Sequence, residues 1–192
     1  MAKRVLCCIR KKVKNLIGKT NYNYDKVLNY ACDDEDSNYN FAWKLYKQGS
    51  YQAAFKAFEN SNKTTRELNM AYMLRKKLVY DDKYSVEKLL KPLVEKNNSF
   101  AIVNYTLCYI ENNSWEAAIE LLSRINVPDD EIINWWHNLS LEGDKEGDLV
   151  LGLLMYIGKL ENDPNGISAK ERLSIAVSAG YKIPDYIIDE VS

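Results

Sequence analysis

Residues Gly143 to Gly180, GDKEGDLVLGLLMYIGKLENDPNGISAKERLSIAVSAG, decide the fold. They predict a helix, a polar turn and a second helix, with small residues where the two helices touch. Gly152 interrupts the apolar run Leu149-Val150-Leu151-Gly152-Leu153-Leu154-Met155-Tyr156. A glycine inside a helix costs about 1 kcal/mol relative to alanine, so its place there implies a neighbouring helix at close range. Gly158 ends the first helix, and Glu161-Asn162-Asp163-Pro164-Asn165-Gly166 is dense in turn residues. Ser168 and Glu171 have capping-box spacing, in which each side chain takes one orphan backbone donor. The second helix carries Ala169, Leu173, Ala176 and Val177 on one stripe and stops at Gly180.

Working back from this stretch, the same logic recurs. Phe41, Ala42, Leu45 and Tyr46 form an apolar stripe, Gly49-Ser50 a turn, and Tyr51, Ala54, Phe55 and Phe58 the answering stripe. Tyr84 follows Tyr51 after 33 residues and Trp115 follows Tyr84 after 31 more. Trp115 leads into Ala118, Leu122 and Ile125, a good match, whereas Tyr84 leads into Glu87, Lys91 and Val94, a poor one. A period in this range is the signature of stacked helix pairs. Between the anchors, Thr64 and Glu67 make a second capping box before Leu68, Ala71, Tyr72 and Leu78. Ser85 opens a helix through Leu89, Leu90 and Val94, in which Pro92 removes one backbone donor. Ser99 begins the helix of Phe100, Val103, Leu107 and Ile110, and Pro128-Asp129-Asp130-Glu131 places acids at the start of the next.

The stretch from Gly143 resembles the Sel-one-like repeat, a relative of the tetratricopeptide repeat. Gly143 stands where that family ends the preceding unit, Leu151-Gly152 matches its Leu-Gly pair, and Gly158 falls on its turn glycine. Tyr156 lies one residue from the family's tyrosine, and Leu160 stands where the family has a second turn glycine. Asp163, Ala169, Ala176 and Gly180 follow in register once the linker has gained one residue. Ala42, Gly49, Tyr51, Ala54 and Phe58 look like a tetratricopeptide unit. The resemblance implies an all-α fold, an α-α superhelix in the form of a right-handed solenoid of stacked antiparallel helix pairs. It also implies a non-enzymatic protein-binding scaffold. The expected layout is one helical-repeat domain: a basic amphipathic helix in 1–19, tetratricopeptide-like units over 38–126, a Sel-one-like unit over 129–180 and a terminal helix over 184–191.

Composition fits this reading. At 192 residues the chain can bury about 70% of its unfolded surface. Eight glycines and four prolines are too few for a β fold with many tight turns. No run approaches a membrane span, and the apolar core Val5 to Ile9 is too short for a secretory signal, so a cytoplasmic location is expected. Cys7, Cys8, Cys32 and Cys108 lack the spacing of a zinc site and read as reduced thiols. His137, beside Trp135 and Trp136, is the single histidine; it has no nucleophile or second histidine in any motif and reads as structural. No catalytic residue, metal site or cofactor is expected.

The net charge of −1 conceals an asymmetry. Residues 1–19 hold seven cations and no acid, and the remaining 173 residues hold 19 basic and 27 acidic side chains, a balance of −8. The basic head reads either as a terminal helix covering the end of the stack or as an attachment to an anionic membrane or nucleic acid. It carries no interleaved aromatic residues, which favours the first. The acidic body suits capture of a basic protein, as an immunity protein captures a toxin. The run Asp33-Asp34-Glu35-Asp36 is a candidate contact for such a partner. Carried over from the tetratricopeptide pattern, Asp36, Tyr39, Trp43 and Tyr46 face the binding groove in one unit, and Asn69, Tyr72, Lys76 and Val79 in the next.

Overall fold

The computed structural model describes residues 37–63, 65–126 and 130–191, the side chain of Glu131 excepted. The basic helix expected in 1–19, the run Asp33 to Asp36, Thr64 and the helix start at Pro128-Asp129 lie outside those residues. The described residues form ten α-helices and no strand. They are α1 (Ser37–Lys47), α2 (Tyr51–Glu59), α3 (Arg66–Arg75), α4 (Val86–Glu95) and α5 (Ser99–Glu111). The rest are α6 (Trp115–Ser123), α7 (Asp130–Leu141), α8 (Lys145–Tyr156), α9 (Ala169–Ser178) and α10 (Asp185–Glu190). Consecutive helices pack on one another: α1 on α2, α2 on α3, α5 on α6, α7 on α8, and α8 on α9.

Seven of these helices end the same way. A residue of positive φ follows the helix: Gly49, Lys77, Asn97, Asn113, Gly143, Gly158 and Gly180. Its N–H donates three residues back and the next N–H five back, as in Gly49 to Tyr46 O (2.9 Å) and Ser50 to Leu45 O (2.9 Å). This left-handed cap satisfies two orphan carbonyls and turns the chain for the next helix. Lys77 takes the same conformation with φ +54, where a side chain is strained. Lys77→Gly should therefore raise stability by up to about 1 kcal/mol, less what glycine gives the unfolded chain. A shift of the urea midpoint to higher concentration checks it; a fall would refute the assignment of strain.

The chain divides inside α4, after Leu89, into two compact units. In the first, Phe41, Ala42 and Leu45 of α1 and Ala54, Phe55 and Phe58 of α2 are buried as the stripes predict, Ala53 and Ala57 join them, and Tyr46 and Tyr51 are half-buried. In α3 the buried set is Met70, Ala71, Met73 and Arg75; of the predicted Leu68, Ala71 and Tyr72, only Ala71 is among them. Leu68 and Tyr72 stay half-buried. The expected Thr64–Glu67 box involves Thr64, which lies outside the described residues; the Glu67 carboxylate accepts from Arg66 Nε at 2.8 Å.

In the second unit α8 is central, and every residue from Glu146 to Leu154 is buried. One side of α8 packs on α7 and another on α9, which explains why its apolar run has no polar face. A Cβ on Gly152 would lie 2.7 Å from Leu173 Cδ2, so this glycine does mark a close approach, to α9. Ser168 caps α9 as expected, its Oγ accepting from Glu171 N at 3.2 Å. Asn98 and Asp144 cap α5 and α8 in the same manner. The stripe of α9 departs from expectation: Leu173 and Ala176 are buried, but Val177 is 46% exposed and Arg172 takes the inward place. The expected terminal helix is α10, in which Ile187 is buried and Tyr186 is 45% exposed, with Pro184 as the N-cap.

Candidate functional site

Three rings lie along α1 at spacings that put them on one side of a helix: Tyr39, Trp43 and Tyr46. Each is half-buried. Trp43 meets Tyr39, Tyr46 and Phe58 edge-on, with centroids 6.4, 5.4 and 5.6 Å apart. Phe58 also lies 5.5 Å from Tyr39, so a buried α2 ring supports the row from beneath. Edge-to-face pairs of this kind add about 0.5–1.5 kcal/mol each beyond burial and hold the rings in fixed orientations.

The sequence assigned Tyr39, Trp43 and Tyr46 to one unit and Asn69, Tyr72 and Lys76 to the next. The structure joins the two sets at Tyr39, whose Oη accepts from Asn69 Nδ2 at 3.0 Å and from Thr65 Oγ1 at 3.1 Å. Tyr72 lies one turn along α3, where Lys76 Nζ and Arg75 Cζ each sit 5.8 Å from its ring centroid. Asp33, Asp34, Glu35 and Asp36 lie outside the described residues.

Charge over residues 37–89 differs from the chain average. Residues 37–89 hold ten basic and five acidic side chains, a balance of +5. Residues 90–192 hold eight basic and seventeen acidic, a balance of −9. Three of the acids in 37–89, Glu59, Glu67 and Asp81, pair with cations of the same unit. Glu59 accepts from Lys83 Nζ at 2.6 Å, from Tyr84 Oη at 3.0 Å and from Lys56 Nζ at 3.4 Å. Lys83 is the main reason that the Glu59 carboxyl sits below its ordinary range. Asp81 is likewise held down, first by Lys56 at 2.9 Å. Helix α1 contains no acid but has Lys44 and Lys47 in its last turn, and Arg75, Lys76 and Lys77 cluster at the end of α3.

A buried ionic network in the second unit escaped the sequence reading. Arg172, 2% exposed, donates from Nε to Asp163 Oδ2 (2.8 Å), from Nη2 to Asp163 Oδ1 (3.0 Å) and from Nη1 to Asp148 Oδ1 (2.6 Å). Nη1 also reaches Ser140 Oγ at 2.7 Å, which in turn donates to Asp148 at 2.8 Å. Asp163 further accepts from the N–H groups of Asn165 and Ile167, which shapes the turn before α9. Burial alone would push the Asp163 carboxyl up; the guanidinium and the two N–H groups together hold it below its usual range.

These depressed carboxyls set a pH dependence. Each ionises more readily in the folded chain than in the unfolded one, where Asp and Glu titrate near 4. Their stabilisation is complete above that value and is lost as pH falls through the lower folded values. The urea midpoint should stay level from about pH 8 to 5 and drop below about pH 4. A drop between pH 7 and 5 would place the acid sensitivity elsewhere.

His137 is half-buried beside the fully buried Trp136, and its Nδ1 makes no hydrogen bond. Among the described residues no group of three His, Cys, Asp or Glu side chains comes together to hold a metal ion, and no helix is long and apolar enough to cross a membrane. No protein-family model, curated protein or solved structure matches this chain.

Proposed function

We propose that this chain is a non-enzymatic protein-binding scaffold, its helix pairs of the tetratricopeptide-like and Sel-one-like kind. The observation that carries this reading is the half-buried aromatic row of α1, locked by ring contacts and joined to α3 through Tyr39 and Asn69. Rigid rings with polar edges lose little entropy on binding and dominate interface hot spots.

The basic partner expected from the overall charge belongs with the second unit, where the acidic surplus lies. There the half-exposed Tyr186 sits close to Glu116 of α6 and Glu190 of α10; burial first and then these two charges hold its phenol above the ordinary range. A cationic surface meeting this patch would gain on-rate from long-range attraction and contact area from the ring. Neutralisation of a basic protein, in the manner of an immunity protein, fits that arrangement.

Tagged purification from the native cell at low and moderate salt tests the reading. A stoichiometric basic protein is expected, released by moderate salt and about tenfold weaker on Glu116→Gln with Glu190→Gln. Recovery of RNA or lipid in its place, abolished by deleting residues 1–19, would replace the scaffold with an adaptor acting through the basic head.

A further inference from the structure

Asn165-Gly166 is the single Asn-Gly pair in the chain, and it lies in the turn that the buried Arg172 network shapes. We infer that Asn165 is a site of self-modification, its carboxamide closing onto the Gly166 nitrogen, and that the Asp163–Arg172 pair sets how often this happens. In the step, the Gly166 N–H gives its proton to solvent base and the nitrogen attacks Asn165 Cγ. A C–N bond forms, the Cγ–Nδ2 bond breaks and ammonia leaves, so a cyclic imide remains. Water then opens the ring at either carbonyl. One opening yields aspartate; the other yields isoaspartate, whose main chain runs through the side-chain carbons. Amide and water have become acid and ammonia, with no change of oxidation state.

A side chain on the residue after asparagine crowds the attacking nitrogen. Gly166 has none, and nothing lies within 4 Å of where its Cβ would stand. Asn165 is exposed, so water reaches the ring. The turn is what opposes closure. Gly166 N donates to Asp163 O at 3.0 Å, which engages the proton that must leave. Asp163 Oδ1 accepts from Asn165 N at 2.8 Å and from Ile167 N at 3.4 Å, pinning the main chain on both sides of Gly166. Arg172 holds Asp163 in its turn, from Nε at 2.8 Å and Nη2 at 3.0 Å. The ring therefore closes from the locally opened turn, at a rate that follows the share of time the turn is open. Turn geometry alone explains why these two residues stand here, with Gly166 at φ +70, and their reactivity comes with them. Isoaspartate adds a methylene to the main chain before Gly166 and draws Ile167 away from Asp163, which loosens the tie between α9 and the network.

Peptide mass spectrometry of the full chain, incubated at neutral and mildly alkaline pH, tests this. Loss of ammonia with gain of water should be found at Asn165, faster at the higher pH, with isoaspartate among the products. Arg172→Met should raise the rate about tenfold or more, toward that of the urea-unfolded chain. Where that variant does not fold, Arg172→Lys, which keeps the charge and loses the forked contact, should raise it in the same direction. In wild type the rate should stay level in urea well below the unfolding midpoint, as a local opening requires. A rate that climbs with urea there would assign the event to global unfolding and remove the network's control. Equal rates in the folded and unfolded chains would remove it as well. No product at Asn165 in any of these proteins, or earlier product at other asparagines of the unfolded chain, would overturn the site itself. Aged wild type should also lose urea midpoint, and Asn165→Asp, which has the charge without the added methylene, should lose less; equal losses would overturn the loosening of α9.

Discussion

Replacing Arg172 by methionine should cost the second unit about 3–5 kcal/mol of unfolding free energy. The guanidinium is 2% exposed and is the cation shared by two carboxylates, Asp148 and Asp163, whose side chains are 3% and 0% exposed. Methionine fills most of the volume but leaves both acids buried without it. The asymmetry of buried pairs makes this severe: removing one member strands a charge, whereas replacing the whole set by apolar groups is often neutral. The second variant follows from that rule. Adding Asp148→Leu to Arg172→Met should recover part of the loss. Recovery should stop short of wild type, because Asp163 remains and still accepts from Asn165 and Ile167. Urea unfolding followed by far-ultraviolet circular dichroism measures all three. A loss under about 1 kcal/mol for Arg172→Met would mean that the network contributes shape but little energy.

Why that network stayed hidden in the sequence is a matter of periodicity. Helix-face reasoning compares residues three and four apart, and Ser140, Asp148, Asp163 and Arg172 belong to α7, α8, a turn and α9. Hydropathy then counts each as a surface residue, so Val177 is given the inward place that Arg172 occupies. What was legible had local causes. The turns at Gly49, Gly143, Gly158 and Gly180, the cap at Ser168, and most of the buried stripes of α1 and α2 each follow from a few adjacent residues. The candidate face was legible as residues and not as electrostatics. Tyr39, Trp43, Tyr46, Asn69, Tyr72 and Lys76 were named, and Tyr39 does join Asn69. A single balance of −8 for residues 20–192, however, averages +1 over residues 20–89 with −9 over residues 90–192. Segment-by-segment charge would have exposed it, once the division inside α4 was known.

Gly147→Ala should be the most damaging single-methyl change in the chain's described residues, at about 3 kcal/mol or more, and well above Gly152→Ala. Both glycines lie in α8 and both are buried. The sequence pointed to Gly152 because it breaks an apolar run; Gly147, between Glu146 and Asp148, looks like part of a polar first turn. The neighbours reverse that order. A Cβ on Gly147 would overlap the Trp136 carbonyl oxygen and lie 2.5 Å from the Ser140 nitrogen and 2.9 Å from its Cα. All three are backbone atoms of α7, so no rotamer change relieves the clash, and the two helices must separate. Separation would also pull Ser140 from Asp148 and Arg172. At Gly152 the obstacles are the Leu173 side chain, at 2.7 and 2.9 Å, and the Arg172 Cβ at 3.1 Å. Leu173 can turn, and alanine returns about 1 kcal/mol of helix propensity, so the net cost there should be about 1–2 kcal/mol. Paired urea melts of the two variants settle the order. Equal losses, or a Gly147→Ala protein as stable as wild type, would mean that α7 and α8 are free to part at no cost and that their close approach is not what fixes the hairpin.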